Sequence, residues 1–369
     1  MLRHTFQEID LEGLKHNVRE LGRFAKGKLR MAIVKADAYG HGAKECATAA
    51  IEAGADWLGV ATPEEAEDLV FLGKPILILS PVGKEATKDS VRLGISLCAF
   101  TKDHIKTASE MAKKAGKKAK LHIKCDTGMG RIGIRSEEEL MEVLACADEN
   151  VEIEGIFTHF STADEADLRY TEKQLEAFRR YIALVNKMGF HPIVHAANSA
   201  AIIGLPEAHF DMVRMGVAMY GYFPAADFDK KDTDLRPVMS VKSCISHIKE
   251  VDIGESISYG RHFIAKRKSL IATVPIGYAD GYMRANSNKA FVLAKGKRVP
   301  VCGNVCMDQI MLDITDVPGL SIGDEVVLMG RQGSECITAD ELAAYAGTIS
   351  YEILTSFKGR MPRIYEHGR

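Results

Sequence analysis

No apolar segment in this 369-residue chain approaches the roughly 20 residues a membrane helix needs, so no span is expected. Net charge is nearly absent too: 48 basic and 50 acidic residues leave −2 at pH 7, which gives no electrostatic reason to expect nucleic acid or an anionic membrane. The one basic run, KKAGKKAK (113–120), follows a helical stretch and contains a glycine break, and reads as a solvated helix end and turn. The eight cysteines lack a secreted-scaffold spacing, and a chain this long needs no disulfide staples. They read as reduced thiols, which points to the cytoplasm. Cys302 and Cys306 form a C-x3-C pair with no second ligand pair behind it, so no metal is expected there. The start, MLRHTFQEIDLEGL, has early acidic residues and no apolar centre, unlike a secretory signal. Internal repeats and low-complexity segments are likewise missing.

What is present is an ordinary globular balance, 46% hydrophobic and 27% charged, in a chain long enough for two cores. From residue 30 to about 221 short β-like runs alternate with helical ones. The runs are RMAIV, DWLGVAT, PILILS, ISLCAF, AKLHIKC, VEIEGIFTHF, PIVHAANS and DMVRMGVAMYG. Helical segments such as GAKECATAAIEAG, TPEEAEDLVFLG and SEEELMEVLACADEN lie between them, the last opening with the capping box Ser136-x-x-Glu139. Eight such units predict an α/β fold of the (β/α)8 (TIM) barrel type rather than an open doubly wound sheet. After about residue 235 the helices thin out, with one late helix expected at TADELAAYAG and strands elsewhere. The domains are therefore placed at 1–235, a barrel, and 236–369, mostly β, with the charged FDKKDTDLRP as the junction.

In a (β/α)8 barrel the chemistry lies at the C-terminal ends of the strands. Those ends supply Lys35 after strand one, Arg131 after five, His159 near the end of six, Asn198 and Ser199 after seven, and Arg214, Met215, Gly216 and Val217 in the eighth. Lys35 closes the apolar run RMAIV and precedes the polar loop ADAYGHG. A lysine at a strand end can simply snorkel, yet a desolvated one is the usual imine-forming nucleophile for a carbonyl cofactor. DTGMGRIG contains G-x-G-x-x-G, but without a second mononucleotide half the glycines read as a tight turn aiming Arg131 inward, not as a dinucleotide site. His159 alone reads equally as a hydrogen-bonded core histidine. Arg214 would be costly to bury unpaired, so an anion or a polarised ring nitrogen is its expected partner. Tyr259 in SISYGR and the run CMDQ (306–309) carry little weight alone.

Taken in order, EIDLEGLKHN, VKADAYGHG, DTGMGRIG, THFSTAD, AANSAA, VRMGVAMYG, SYGR, VPIGYADGY, NVCMDQ and YEILT make the chain resemble the alanine racemase family over nearly its whole length. These are pyridoxal-phosphate enzymes with a barrel and a C-terminal β domain. The resemblance implies that Lys35 is the Schiff-base lysine. Tyr39, Ser199 and the backbone of Gly216 and Val217 would hold the cofactor phosphate, with Tyr351 reaching it, while Asn198 and His159 also line the cofactor. Arg214 would face the pyridine nitrogen, and Arg131 the phenolic oxygen and the substrate carboxylate. Tyr259 would be the second base, brought by the other subunit of a homodimer together with Tyr278, Cys306, Met307 and Asp308, Met307 through its backbone amide. Lys124 matches a lysine that is carbamylated in many members.

The implied reaction is interconversion of L- and D-alanine by two bases on opposite faces, Lys35 for the D-alanine proton and Tyr259 for the L-alanine proton, supplying D-alanine for peptidoglycan. Unperturbed values near 10.4 and 10 are too high for efficient bases, leaving both groups protonated at neutral pH, so the site must help. Two residues depart from the family pattern: Asn304, where arginine is common, and Cys125, where an aliphatic residue is common. The rival readings are a serine or broad-specificity racemase, a pyridoxal-phosphate decarboxylase of basic amino acids, and a non-catalytic pyridoxal-phosphate carrier. Tyr351, a bulky phenol, favours the small substrate.

Overall fold

In the computed structural model, which describes residues 4–225 and 227–366, the chain forms two compact units. The larger comprises Leu14–Ala38 and Ala43–Arg236; the other gathers the residues up to Gly13, Tyr39–Gly42, and the chain from Pro237.

The larger unit is a closed eight-stranded parallel barrel. Its strands are Leu29–Ile33, Trp57–Val60, Ile76–Ile78, Ser96–Ala99, Ala119–Lys124, Val151–Phe157, Ile193–His195 and Met212–Met215, and the last pairs with the first at Leu29↔Met212. Strands two, three, four and eight are buried at every residue, as expected of parallel strands covered on both faces. The helices form where the sequence supplies caps. Thr62 and Glu65 make a reciprocal capping box ahead of Pro63–Glu67. Thr101 caps Lys102–Ala115, and the basic run ends that helix at Gly116, a left-handed cap with φ 62°. Ser136 accepts from Glu139 N, but the Glu139 carboxylate takes the amide of Arg135 rather than that of Ser136, so the expected box is only half made.

The barrel interior departs from the usual filling of branched aliphatic side chains. Because side chains alternate along a strand, His122 and Lys124 share a face, and cross-strand register sets His122 beside Gly155 and Lys124 beside Phe157. Phe157 in turn pairs with His195 and stacks flat on its ring, 4.9 Å between centroids.

The β unit has a seven-stranded sheet, running Lys297–Pro300, Phe291–Ala294, Glu325–Gln332, Met239–Cys244, Phe6–Asp10 and Arg363–Glu366, with Glu335–Ile337 added on Glu325–Gln332. The N-terminal strand Phe6–Asp10 is thus held between Met239–Cys244 and Arg363–Glu366. A three-stranded sheet (His247–Val251, Ser269–Val274, Ile310–Asp313) and a two-stranded ribbon (Ser256–Ile257 with Phe263–Ile264) complete it around a small core of Val251, Ile257, Ala265, Ile271, Cys302 and Met311. Two late helices stand where one was expected, Ala339–Ala346 and Ser350–Ser356. No helix among the described residues is long and apolar enough to cross a membrane.

Candidate active site

Lys35 follows the first barrel strand and opens a turn no propensity rule would propose. Ala36, Asp37, Ala38 and Tyr39 all have φ between 52° and 54°, a left-handed conformation that costs a non-glycine residue roughly 1–2 kcal/mol. Carboxylates hold that turn: Ala36 N donates to Glu65 at 2.6 Å, and Ala43 N donates to Asp37 at 2.8 Å. The Lys35 amine is half-buried. Its pKa falls through desolvation, then through the charge of Arg131, against the opposing pull of Glu65 and with a further push from Arg214.

Arg214, 4% exposed, projects from the eighth strand and makes side-chain hydrogen bonds through NH1 and NH2. NH2 donates to Thr158 O (2.9 Å), Ala196 O (2.8 Å) and His159 Nδ1 (3.1 Å), and NH1 donates to His195 Nδ1 (3.1 Å). Burial and the neighbouring Arg131 push Arg214 down to about 9, still a cation at neutral pH. Since a guanidinium only donates, His159 must accept at Nδ1 and carry its proton on Nε2. Burial together with Arg214, Lys124, Arg131 and Lys35 keeps His159 neutral, well below its ordinary value.

Lys124 ends the fifth strand, 3% exposed, its Nζ 4.9 Å from the centroid of the Phe157 ring. That Nζ has no hydrogen-bond partner among the described residues. Desolvation, reinforced by Arg214, brings the amine down to about 7. Arg131 follows in an exposed loop shaped by Asp126, whose carboxylate accepts from Gly128 N (3.1 Å) and Gly130 N (3.0 Å). Gly133 in that loop has φ +127°, and a Cβ there would meet Asp126 N at 2.6 Å, so the glycines do build a tight turn. Cys125, the departure beside Lys124, is fully buried and bridges to Ile134.

A small donor cluster forms after the seventh strand. Asn198 caps Ser199–Gly204 by accepting from Ala201 N. The buried Ser199 Oγ accepts from Gly216 N (3.1 Å) and Ala218 N (3.3 Å), which leaves its own hydrogen for an outside acceptor; Val217 lies between them, buried. Thus Lys35, Lys124, Arg131, His159 and Arg214 are brought within electrostatic reach of one another.

The other expected residues lie in the β unit. Tyr39 and Tyr351 face each other at 6.1 Å, and burial pushes the Tyr39 phenol up to about 12. Tyr259 sits at the tip of the two-stranded ribbon, 72% exposed, in a turn with Ser258 and Arg261 at positive φ. Asn304, the departure from the family pattern, anchors that tip: its Nδ2 donates to Tyr259 O (2.7 Å) and its carbonyl accepts from Ser258 Oγ (2.6 Å). Cys306 O and Met307 O accept from Tyr278 N and Ala279 N, clamping GYADG to CMDQ, while Arg360 bridges Asp308 to Asp280. Tyr278 and Met307 remain exposed. Sequence reasoning missed Glu65, the left-handed turn, and a buried group of His122, His195 and Glu154 beneath Arg214. The spacing of His122 and Lys124 in AKLHIKC, two polar residues on one face of a strand, was the available signal for that group.

Comparison with known proteins agrees with the fold class. Residues 9–224 match the alanine racemase N-terminal domain and residues 238–365 the C-terminal domain. The chain is 45% identical to alanine racemase 2 of Caldanaerobacter subterraneus subsp. tengcongensis, over 99% of this chain and 95% of that one. It superposes on the crystal structure of alanine racemase from Bacillus anthracis with bound L-Ala-P at TM-score 0.93 and 39% identity, covering 99% of this chain and 95% of that one. A histidine racemase from Leuconostoc mesenteroides subsp. sake shares the fold at TM-score 0.91 and 30% identity, covering 99% and 98%. The chain belongs to the alanine racemase family, the racemases built from a (β/α)8 barrel and a C-terminal β domain.

Proposed function

We propose that this enzyme interconverts L- and D-alanine with pyridoxal phosphate held at Lys35. One observation carries the reading: Lys35, Lys124, Arg131 and Arg214 crowd a neutral histidine at one end of a barrel, an excess of positive charge that calls for an anionic ligand. The residues suit that cofactor. A lysine of lowered pKa meets the aldehyde. Ser199, with the amides it gathers, offers donors to a phosphate, and Arg214 offers a donor to the ring nitrogen. Tyr39 and Tyr351 are assigned to the phosphate on the resemblance alone. Bound there, the cofactor supplies an electron sink that acidifies the alanine Cα–H bond.

Inversion requires a proton taken from one face and returned on the other. Lys35, its pKa lowered by burial and two arginines, is the base for one face. For the other we assign the partner subunit's Tyr259 in a homodimer, a role supported by the exposure of Tyr259, Tyr278 and Met307. Arg214 would donate to the ring nitrogen without surrendering a proton, and Arg131 would pair with the substrate carboxylate. We assign Lys124 as a carbamate: the neutral form of its amine, available at a pKa of about 7, takes up carbon dioxide and releases a proton, replacing an unpartnered amine by an anion beside Arg131. Incubation with 13C-bicarbonate should give a carbamate carbon signal that a Lys124→Arg variant lacks; an identical spectrum in both would remove the assignment. D-alanine made in the cytoplasm would feed cell-wall peptidoglycan.

The family fold also serves a larger substrate in the histidine racemase, so the side chain has to be tested directly. Proton NMR of L-alanine with the holoenzyme in heavy water should show loss of the Cα proton, with D-alanine detected by D-amino acid oxidase. Exchange with serine or histidine but not alanine would overturn the alanine reading, and release of carbon dioxide from lysine or ornithine would indicate a decarboxylase.

A further inference from the structure

Beneath the cationic mouth the barrel holds a polar chain that meets the proposed reaction only through Arg214. Arg214 NH1 meets His195 Nδ1 at 3.1 Å, His195 Nε2 meets His122 Nδ1 at 2.9 Å, and His122 Nε2 meets Glu154 Oε2 at 3.2 Å. The Ser96 hydroxyl donates to the same carboxylate oxygen, and Lys120 Nζ donates to Oε1 at 2.8 Å. Both imidazoles are fully buried.

The direction of every bond is forced from the two ends. A guanidinium carries hydrogens and no acceptor, so His195 Nδ1 must be bare. A carboxylate has acceptors and no hydrogen, so His122 Nε2 must carry one. A neutral imidazole has a single N–H, so His195 donates from Nε2 and His122 accepts at Nδ1, and the two requirements agree. Protonating or flipping either ring would set two N–H groups face to face in the barrel core. The rings also have no room to turn. Phe157 lies flat on His195, Trp57 presents an edge to His122 at 5.4 Å, and Gly155 leaves the space that His122 fills.

We infer that Glu154 is a positioning residue for Arg214: by fixing the tautomers of His122 and His195 it keeps a bare nitrogen under the guanidinium and holds it as a charged donor at one angle in the mouth. The inference rests on the proposed role of Arg214 against the cofactor ring. Stability alone gives no reason for this arrangement, since apolar side chains of similar volume usually serve a barrel core at least as well. Burial opposes ionisation of Glu154, but hydrogen bonds from His122, Lys120 and Ser96 prevail and hold it at about 2, so the accepting end of the chain persists across the working pH range.

Substituting Glu154→Gln reverses the chain. Lys120 can only donate and claims the amide oxygen on its side, which sets the NH2 where Oε2 stood, facing His122 and a Ser96 hydroxyl that turns to accept. His122 then carries its proton on Nδ1, His195 does the same, and an N–H faces Arg214. The test is 15N NMR of the histidine-labelled holoenzyme, with the two rings assigned by loss of signal in His122→Asn and His195→Asn. In the wild type both rings should be Nε2–H and should not titrate between about pH 5.5 and 9. Glu154→Gln should move protons to Nδ1 and lower kcat on the order of 10- to 100-fold, as loss of an orienting partner does, with KM for alanine changed less than about twofold. Glu154→Asp, pulled back by one methylene, should show a mixture at His122 and a smaller loss, and it carries the test if the glutamine variant does not fold. A wild-type His195 protonated on Nδ1, unchanged tautomers in both variants, or reversed tautomers with full turnover would each overturn the inference. Because the tautomers are read in the protein itself, failure of the alanine reading and failure of this inference appear in different spectra.

Discussion

The mouth and the floor of the barrel hold buried polar groups of similar kinds and treat them oppositely. On the floor, Glu154, His122 and His195 close on Ser96, Lys120 and Arg214, each nitrogen matched to an acceptor or a donor. In the mouth, Lys124 Nζ is buried without a partner among the described residues, and the charges of Arg131 and Arg214 depress Lys35, Lys124 and His159. A closed network needs nothing further and can only orient what it touches. An unbalanced one is costly until something anionic completes it. Within a single barrel, the balance of donors and acceptors therefore separates the residues that react from those that aim them.

The largest effect should follow removal of the reacting amine. Lys35→Ala should cut alanine racemisation by at least about 10^4-fold, because one proton-transfer group and the cofactor anchor go together. Thermal stability should hardly fall, since the amine is already disfavoured as a cation in its half-buried place. A variant with ordinary turnover would mean that the charge excess serves some other ligand. Next, Tyr259→Phe should lower turnover by roughly 10^2- to 10^4-fold while the melting temperature stays within a degree or two, for a ring this exposed contributes little to its own unit. Solvent exchange of the Cα proton should persist in one direction, because Lys35 remains. Equal loss of exchange from both enantiomers would remove the assignment of one base to each face.

Lys124→Met sets mouth against floor most directly. Turnover should fall about tenfold, as for other orienting partners, whereas in carbon-dioxide-free buffer stability should rise by about 1–3 kcal/mol because a buried lone cation is replaced by an apolar chain. The pH dependence has a definite sign. The folded amine sits at about 7 and the unfolded one near the ordinary lysine value of about 10.4, so between these the unfolded chain binds the extra proton. Wild-type stability in that buffer should therefore increase as pH rises from about 7 towards 10, and denaturant midpoints of the variant should lack that slope.

The mouth was far more legible in the sequence than the floor. Lys35, Arg131, His159 and Arg214 could be placed because each follows or ends an apolar run, and strand ends of a barrel converge. The left-handed turn at Ala36–Tyr39 could not, since local propensity forbids it and only contacts such as Glu65 to Ala36 N sustain it. The floor is assembled from residues 96, 120, 122, 154, 195 and 214, which become neighbours only through strand register. The helix Ser350–Ser356 escaped notice because it is seven residues long and its N-cap, Ile349, offers no side-chain acceptor. Asn304 was read as a departure; its value lies in a carbonyl 45 residues away, which no spacing rule reaches.

Gly155→Ala asks whether the floor is as rigid as the contrast requires. A Cβ at this position would lie 2.1 Å from His122 Nδ1 and 2.3 Å from Cε1, far inside contact distance. Replacing glycine in an unstrained strand normally gains about 0.4–1 kcal/mol by restricting the unfolded chain. Against that, His122 cannot retreat without breaking its bond to His195 or to Glu154, and overpacking of such a core costs about 1–3 kcal/mol. Loss should win, so the variant should unfold at lower denaturant, and turnover should fall about as far as in Glu154→Gln because the same chain to Arg214 is broken. Gly83→Ala, where nothing lies within 4 Å of the new atom, is the matched control and should stay within about 1 kcal/mol of wild type. If Gly155→Ala were as stable as that control, His122 would have slack. The floor would then be a loose cluster with no power to aim Arg214, and the difference between the two ends of the barrel would be one of charge alone.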